Sequence, residues 1–254
     1  MDDNLVVQAE NIKKSFGNNT VIKDISFNLK ELENLSIMGR SGTGKSVLIK
    51  SLVGLIIPDS GTLNVLGENV LDMDDDEIDE VRRQVGYLFQ GGALYDSMTV
   101  ERNMKFPLRR HPNKPSESEI ADLVDETLEN VGLIESKSKY PSELSGGMKK
   151  RIALARTLIM RPKIMLYDEP TTGLDMITSG EISELILKMR EEYDISSIII
   201  THDVSCVELT SDRVIILAEG GILAEGSFDE LKNHDDKKIR AYFTMADKKQ
   251  KNEG

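Results

Sequence analysis

The chain has 254 residues, 39% of them apolar, one cysteine and a formal net charge of -12 at pH 7. That length and apolar share suffice for one large α/β domain, or a domain carrying a subdomain, and the acidic balance argues against a dedicated nucleic-acid surface. A lone Cys206 excludes an internal disulfide, no apolar run reaches the ~18 residues of a bilayer span, and the acidic start Met1-Asp2-Asp3 lacks the basic character of a leader, so a soluble cytosolic chain is expected.

Residues 5–9 and 21–29 alternate apolar with polar side chains, as half-buried antiparallel strands do, and Asn18-Asn19 is expected as the turn between them. Residues 35–38 are a short apolar strand that runs into Gly39-Arg40-Ser41-Gly42-Thr43-Gly44-Lys45-Ser46, after which Val47, Leu48, Leu52 and Leu55 begin a helical pattern. Glycines at this spacing let backbone N–H groups turn inward around phosphates, and the new helix points its positive end at them. Lys45 adds a point charge near the β and γ groups, and Ser46 supplies a hydroxyl for Mg²⁺. Residues 39–47 are therefore the candidate site for a nucleoside triphosphate.

Residues 61–66 are expected as another strand. The acidic run 72–80 opens a short helix ending near Arg82-Arg83, and is read as a solvated face with helix-start charge rather than a metal site. Residues 85–89 are strand-like again. From 91 to 160 the pattern becomes helical, a candidate inserted subdomain in which Ser116 and Glu119 form a capping box and Ile120, Leu123, Val124, Thr127, Leu128 and Val131 line one face. Short apolar strands at 164–167, 197–201 and 214–217 then alternate with helices, which predicts a parallel sheet covered on both faces. A hairpin at Gly220-Gly221, a helix from Phe228, the segment 237–243 and a charged end at 247–254, expected to be disordered, complete the chain.

Two features bear on chemistry. The strand at 164 ends in Asp168 and Glu169, and side-chain alternation is expected to point them apart: Asp168 to hold Mg²⁺, Glu169 to orient or deprotonate an attacking water. Upstream, Leu144-Ser145-Gly146-Gly147-Met148 opens a helix and is followed by Lys149-Lys150-Arg151.

With these motifs the chain resembles the ATPase subunit of ATP-binding cassette (ABC) transporters, from residue 5 to about residue 228. The resemblance implies an α/β P-loop NTPase fold with a mixed central sheet, an antiparallel β-subdomain and an inserted helical subdomain. The ATPase domain would span 5–235, with the helical part at about 91–160, and 236–254 would be a C-terminal extension. ATP and Mg²⁺ are the implied cofactors. Phe16 would stack on adenine, and Gln90 would join Ser46 and Asp168 around the metal. Glu169 and His202 would be catalytic, with His202 against the γ-phosphate, and Asp175 would lie in the loop joining two active sites. Ser145, Gly146 and Gly147 form a second anion site, at a helix N-terminus, with no ligand in its own subunit. A head-to-tail homodimer would use it to close over two ATP molecules. This sequence departs from the family at Leu32, where a turn glycine is common, and at Met148, where glutamine is.

A narrower similarity, carried by residues 89–100 (Phe89-Gln90-Gly91-Gly92-Ala93-Leu94-Tyr95 through Thr99-Val100), Asn103, Pro107-Leu108, Leu144-Ser145-Gly146-Gly147-Met148 and 235–243, is to the Mla-type branch, which energises lipid transport with a membrane permease and an MCE-type lipid-binding protein. It implies a phospholipid-transport ATPase on the cytoplasmic face of the inner membrane; that no nucleic acid is a partner is expected from the acidic balance. Ala93, Leu94 and Tyr95 would then either contact the permease or pack locally, and Ile239, Tyr242 and Phe243 would either pack on their own subunit or grip the opposite one. Two alternatives stay open: a cassette ATPase driving a cell-envelope or division complex without transport, and one acting on DNA or ribosomes, which the acidic balance disfavours.

Overall fold

The computed structural model describes the backbone of residues 4–250 and the side chains of residues 4–244. Its first layer is antiparallel: β1 (Leu5–Phe16) pairs with β2 (Asn19–Lys30) on one side and with β4 (Ser60–Val65) on the other, and β4 carries the short β5 (Glu68–Asn69). β1 is longer than its alternation predicts because register shifts around Ala9 to Ile12 break the two-residue period, with Asn11 at a φ of 51°. The turn centres on Gly17-Asn18, and Asn19 already pairs with Phe16. A tight turn needs a left-handed residue, and Gly17, at a φ of 58°, supplies it.

The second layer is mostly parallel. β3 (Asn34–Gly39), β6 (Val85–Leu88), β7 (Ile164–Asp168), β8 (Ser196–Ile200) and β9 (Arg213–Ala218) run in the order β9-β3-β8-β7-β6, and β10 (Gly221–Gly226) returns antiparallel to β9. Every residue of β3, β7 and β8 is buried, which is why these strands read as continuous apolar runs. A single parallel pairing, Gly221 with Asp24, joins the layers into one mixed sheet of ten strands. The carboxyl ends of β3, β7 and β8 thus lie side by side, where ligands of parallel sheets gather.

The helices are α1 (Lys45–Ser51), α2 (Asp75–Gln84), α3 (Val100–Arg110), α4 (Glu117–Asn130), α5 (Gly146–Leu158), α6 (Met176–Tyr193), α7 (Val204–Thr210), α8 (Phe228–Lys232) and α9 (Lys237–Gln250). Asp74 caps α2 in a capping box with Glu77, and Ser116 caps α4 in one with Glu119, so both acidic helix starts satisfy backbone N–H groups. Helices α3 to α5 lie between β6 and β7 and share a core of their own that includes Val100, Met104, Ile120, Val124, Leu128 and Ile152. α5 is the wall between the two bodies: Ile152 and Ala155 face the helical core, while Ala153, Leu154 and Leu158 face the sheet.

Two matters that the residues left undecided are resolved here. Leu32 adopts the left-handed conformation itself, at a φ of 60°; its N–H donates to Ser196 Oγ at 2.9 Å and its carbonyl accepts from the Arg190 guanidinium. Ile239 and Phe243 pack on their own chain, with the Phe243 ring edge-on to Phe228 at 5.3 Å between centroids. The backbone of α9 runs to Gln250. Residues 251–254 lie outside the described residues.

Candidate nucleotide site

The phosphate loop is the turn from β3 into α1. Gly39 sits so close to its neighbours that a Cβ would lie 2.6 Å from Thr43 Oγ1 and 2.8 Å from the Leu217 carbonyl oxygen, and Gly44, which caps α1, has a φ of 97°. Only glycine meets both demands, and the result is a run of backbone N–H groups at a helix start. Lys45 is buried, and its ammonium donates to the Gly39 carbonyl at 2.7 Å and to the Arg40 carbonyl at 3.1 Å. Burial pushes its pKa down, against the opposing pull of Glu169 and Asp168.

β7 delivers the carboxylates beside it. Asp168 Oδ1 accepts from Ser46 Oγ at 3.4 Å and Oδ2 accepts from the Tyr87 hydroxyl at 3.1 Å, so the strand that pairs with β7 fixes the acid's rotamer. Burial holds the Tyr87 hydroxyl protonated, keeping it a donor. Glu169 lies one residue beyond β7, at a φ of 53°, with its N–H on the Ile200 carbonyl at 2.8 Å. The separation of the two acids therefore comes from this left-handed turn out of the strand, in addition to the expected pleat. Glu169 Oε2 meets His202 Nδ1 at 2.8 Å and the Thr172 hydroxyl at 3.1 Å. Burial would raise the Glu169 pKa, yet these bonds bring it below the ordinary value, and the same Glu169 bond lifts that of His202. A carboxylate held ionised can only accept, so His202 Nδ1 carries the proton.

A cavity of about 1560 Å³ unites most of the expected residues: Gly39, Arg40, Ser41, Gly42, Gly44, Lys45, Ser46, Val47, Gln90, Asp168, Glu169, Asp175 and His202 all line it. Thr43 is turned back onto the Arg40 carbonyl at 2.9 Å and does not line it. Phe16 also stands outside that lining, 48% exposed, with the Lys14 ammonium 5.4 Å from its ring centre. Ser145, Gly146 and Gly147 are absent from it as well. Ser145 caps α5 through Met148 N–H at 3.3 Å, and Ser145 and Gly146 are exposed.

Several contributors escaped the sequence reading. Tyr87 carries no motif, and its role follows only from strand pairing. Lys150 reads as one of three consecutive basic residues, but it is buried, and its ammonium donates to the Gln90 carbonyl and, at 3.4 Å, to the Glu169 carbonyl. Helical spacing was the available signal, since Gly147, Lys150, Leu154 and Leu158 share a buried face. The loop after Gln90 is held the same way: Arg156 donates to the Ala93 carbonyl at 2.8 Å, and the fully buried Asn103 accepts from Tyr95 N–H at 2.8 Å. Within this loop Leu94 packs into both neighbouring cores, while Ala93 and Tyr95 stay exposed.

Comparison with known proteins gives the same picture. Residues 22–172 match the family model described as ABC transporter. The chain is 37% identical over 239 residues to a probable ribonucleotide transport ATP-binding protein, Mkl, of Mycobacterium leprae, covering 94% of this chain and 69% of the relative. It is 35% identical over 239 residues to the intermembrane phospholipid transport system ATP-binding protein MlaF of Haemophilus influenzae, covering 94% of this chain and 90% of the relative. Among solved structures, the dimeric ATP-binding cassette MJ0796, bound to ADP and Pi in a post-hydrolysis state, superposes with a TM-score of 0.79 at 32% identity over 87% of this chain and 98% of that one.

Proposed function

We propose, from the premise that this chain belongs to the ABC transporter family and is one of its ATP-hydrolysing subunits, that it powers the movement of a phospholipid or similar lipid through a membrane permease. The observation that carries the catalytic part of this reading is the division of the site. The phosphate loop, both carboxylates and His202 share one cavity, while the exposed N-terminus of α5, with Ser145 and the glycine N–H groups, lies outside it. A second copy supplies what each lacks. In the closed homodimer the triphosphate lies between the phosphate loop of one protomer and Ser145, Gly146 and Gly147 of its partner. The dimeric cassette bound to ADP and Pi supports that arrangement.

Within the site we assign Lys45 and the loop N–H groups of residues 39–47 to the phosphates and Phe16 to the adenine. Glu169 accepts a proton from, or orients, the attacking water. His202 contacts the γ-phosphate, and Asp175 links the two sites across the dimer. Ser46, Gln90 and Asp168 fit Mg²⁺ by their chemistry, a hard oxygen set with few carboxylates that leaves room for phosphate and water. When bound, the ion supplies charge neutralisation for phosphoryl transfer.

Residues 5–235 form the ATPase domain in this reading, with the helical subdomain at about 91–160 and an extension at 236–254. Among the described residues no helix is long and apolar enough to cross a membrane, so attachment to the cytoplasmic face would come through the permease. Exposed Ala93 and Tyr95 are the proposed permease contacts, and an MCE-type protein is the proposed lipid carrier. The lipid rests on the MlaF relative and on the resemblance around Gln90, whereas Mkl carries a ribonucleotide name. Reconstitution with the co-purifying permease and labelled phospholipid tests it. ATP-dependent movement that Glu169→Gln abolishes, while the variant still binds ATP and accumulates as a dimer, is the expected result. ATP turnover with no lipid movement would remove the lipid assignment.

A further inference from the structure

Lys150 is a buried cation whose hydrogen-bond acceptors, among the described residues, are backbone carbonyls and not carboxylates. Its side chain leaves the second turn of α5, on the buried face shared with Gly147, and its ammonium ends between two backbone carbonyls, that of Gln90 and that of Glu169. Burying an ammonium is costly, and two neutral acceptors compensate only in part, although Asp168 and Glu169 add attraction from nearby. Leucine or methionine would fill the volume without that cost. The charge therefore calls for a reason beyond packing.

Its position supplies one. α5 begins at Ser145 and Gly146, the residues that receive the partner's nucleotide in the reading above. Five residues after Ser145, the same helix holds the carbonyl of Gln90, a proposed metal ligand, and that of Glu169, the proposed base. Six residues further on, Arg156 donates to the Ala93 carbonyl at 2.8 Å and the Gly92 carbonyl at 3.3 Å, so α5 grips the loop after Gln90 at two points. Glu169 itself stands in the left-handed conformation, at a φ of 53°, which needs support from its surroundings.

We propose that Lys150 is a positioning residue for hydrolysis: it ties the helix that reads the partner's nucleotide to the backbones of Gln90 and Glu169, so that both loops are aligned for chemistry only while α5 is docked. This rests on the proposed dimeric ATPase reading, and it adds a residue and a contact to it. The ammonium acts through carbonyl oxygens and touches no reacting atom. A hydrogen-bond donor reaching both carbonyls is what the role requires, so arginine should serve in part and methionine should not.

The test uses the full chain, with the parent's ATP turnover and the ATP-driven dimerisation of Glu169→Gln measured first. Failure there would refute the dimeric reading itself, independently of Lys150. Lys150→Met should then lower kcat by on the order of 100-fold, the loss expected when catalytic groups are displaced by about 1 Å, with KM for ATP within about twofold of the parent. Amide hydrogen exchange in residues 89–95 should quicken, and Lys150→Met in the Glu169→Gln background should still dimerise with ATP. Lys150→Arg should restore at least a tenth of parental kcat. If Lys150→Met does not fold, Lys150→Gln carries the same comparison, since its shorter amide also loses the bridge. Turnover by the neutral variants within about threefold of the parent would overturn the proposal. So would a joint fall of kcat, ATP affinity and melting temperature that arginine does not rescue, because that pattern marks packing alone.

Discussion

Gly147→Ala offers a quantitative test of how the start of α5 is seated. Gly147 is the second residue of the helix and is buried against the first turn of α6, and a Cβ built there would lie 2.5 Å from Thr178 Cγ2. Carbon atoms in van der Waals contact need about 3.5–4.0 Å, so roughly 1 Å of movement must be found. Thr178 does not give way by rotating: its hydroxyl donates to Asp175 Oδ2 at 2.7 Å and its N–H donates to Asp175 Oδ1 at 3.0 Å, the bonds that cap α6. Overpacking of this kind costs about 1–3 kcal/mol, while alanine gains about 1 kcal/mol over glycine as a helix former. The expected net loss is therefore about 0–2 kcal/mol, measured by urea unfolding of the nucleotide-free chain. Because that interval touches zero, the decisive measurement is a double-mutant cycle with Thr178→Ser, which removes Cγ2 and keeps the capping hydroxyl. In the serine background Gly147→Ala should become stabilising by up to about 1 kcal/mol, a coupling of about 1–3 kcal/mol between the two sites. An identical effect of Gly147→Ala in both backgrounds would refute the contact as the reason for glycine here.

Leu32→Gly should raise the urea midpoint, by roughly 0.5 kcal/mol of stability, since relief of the left-handed backbone (about 1–2 kcal/mol) outweighs the added freedom of the unfolded chain (about 0.4–1 kcal/mol). Leu32→Val should lower it, and equal midpoints for the two variants would contradict the strain. Glu33→Gln should cost about 1.5–3 kcal/mol, the range for a charge-assisted hydrogen bond and not for an orphaned buried cation, because Arg213 keeps Glu225 and Asn28. Burial raises the Glu33 pKa, but its bonds to Arg213 and Lys30 leave it below the ordinary glutamate value. Its contribution is therefore complete above that value and is lost as pH falls through the lowered folded-state pKa, so the gap between parent and variant should persist at pH 5 and close only in stronger acid.

The phosphate loop, the paired carboxylates and the helix start at Ser145 were legible because each is a local demand. Left-handed glycines, a lysine at the start of a helix and acids at the end of a strand are consequences of a few consecutive residues. The antiparallel layer, the capping boxes and the apolar parallel strands were legible for the same reason, since side-chain period and cap chemistry are properties of short windows. β1 is the exception: bulges near Asn11 shift the period, and the strand looks about half its true length.

Contacts between distant segments were decided by the folded chain alone. Tyr87 is 81 residues from Asp168, and Lys150 is 60 residues from Gln90, so no window of sequence contains either pair. Lys150 also looks like its exposed neighbour Lys149, and only the packing of α5 against the sheet assigns one to solvent and the other to a buried bridge. The sequence by itself determined which groups could grip a triphosphate, because that chemistry depends on residue type and local backbone shape. The tertiary structure decided how those groups are aimed, because aim is set by long-range pairing whose energy exists only once the core has closed.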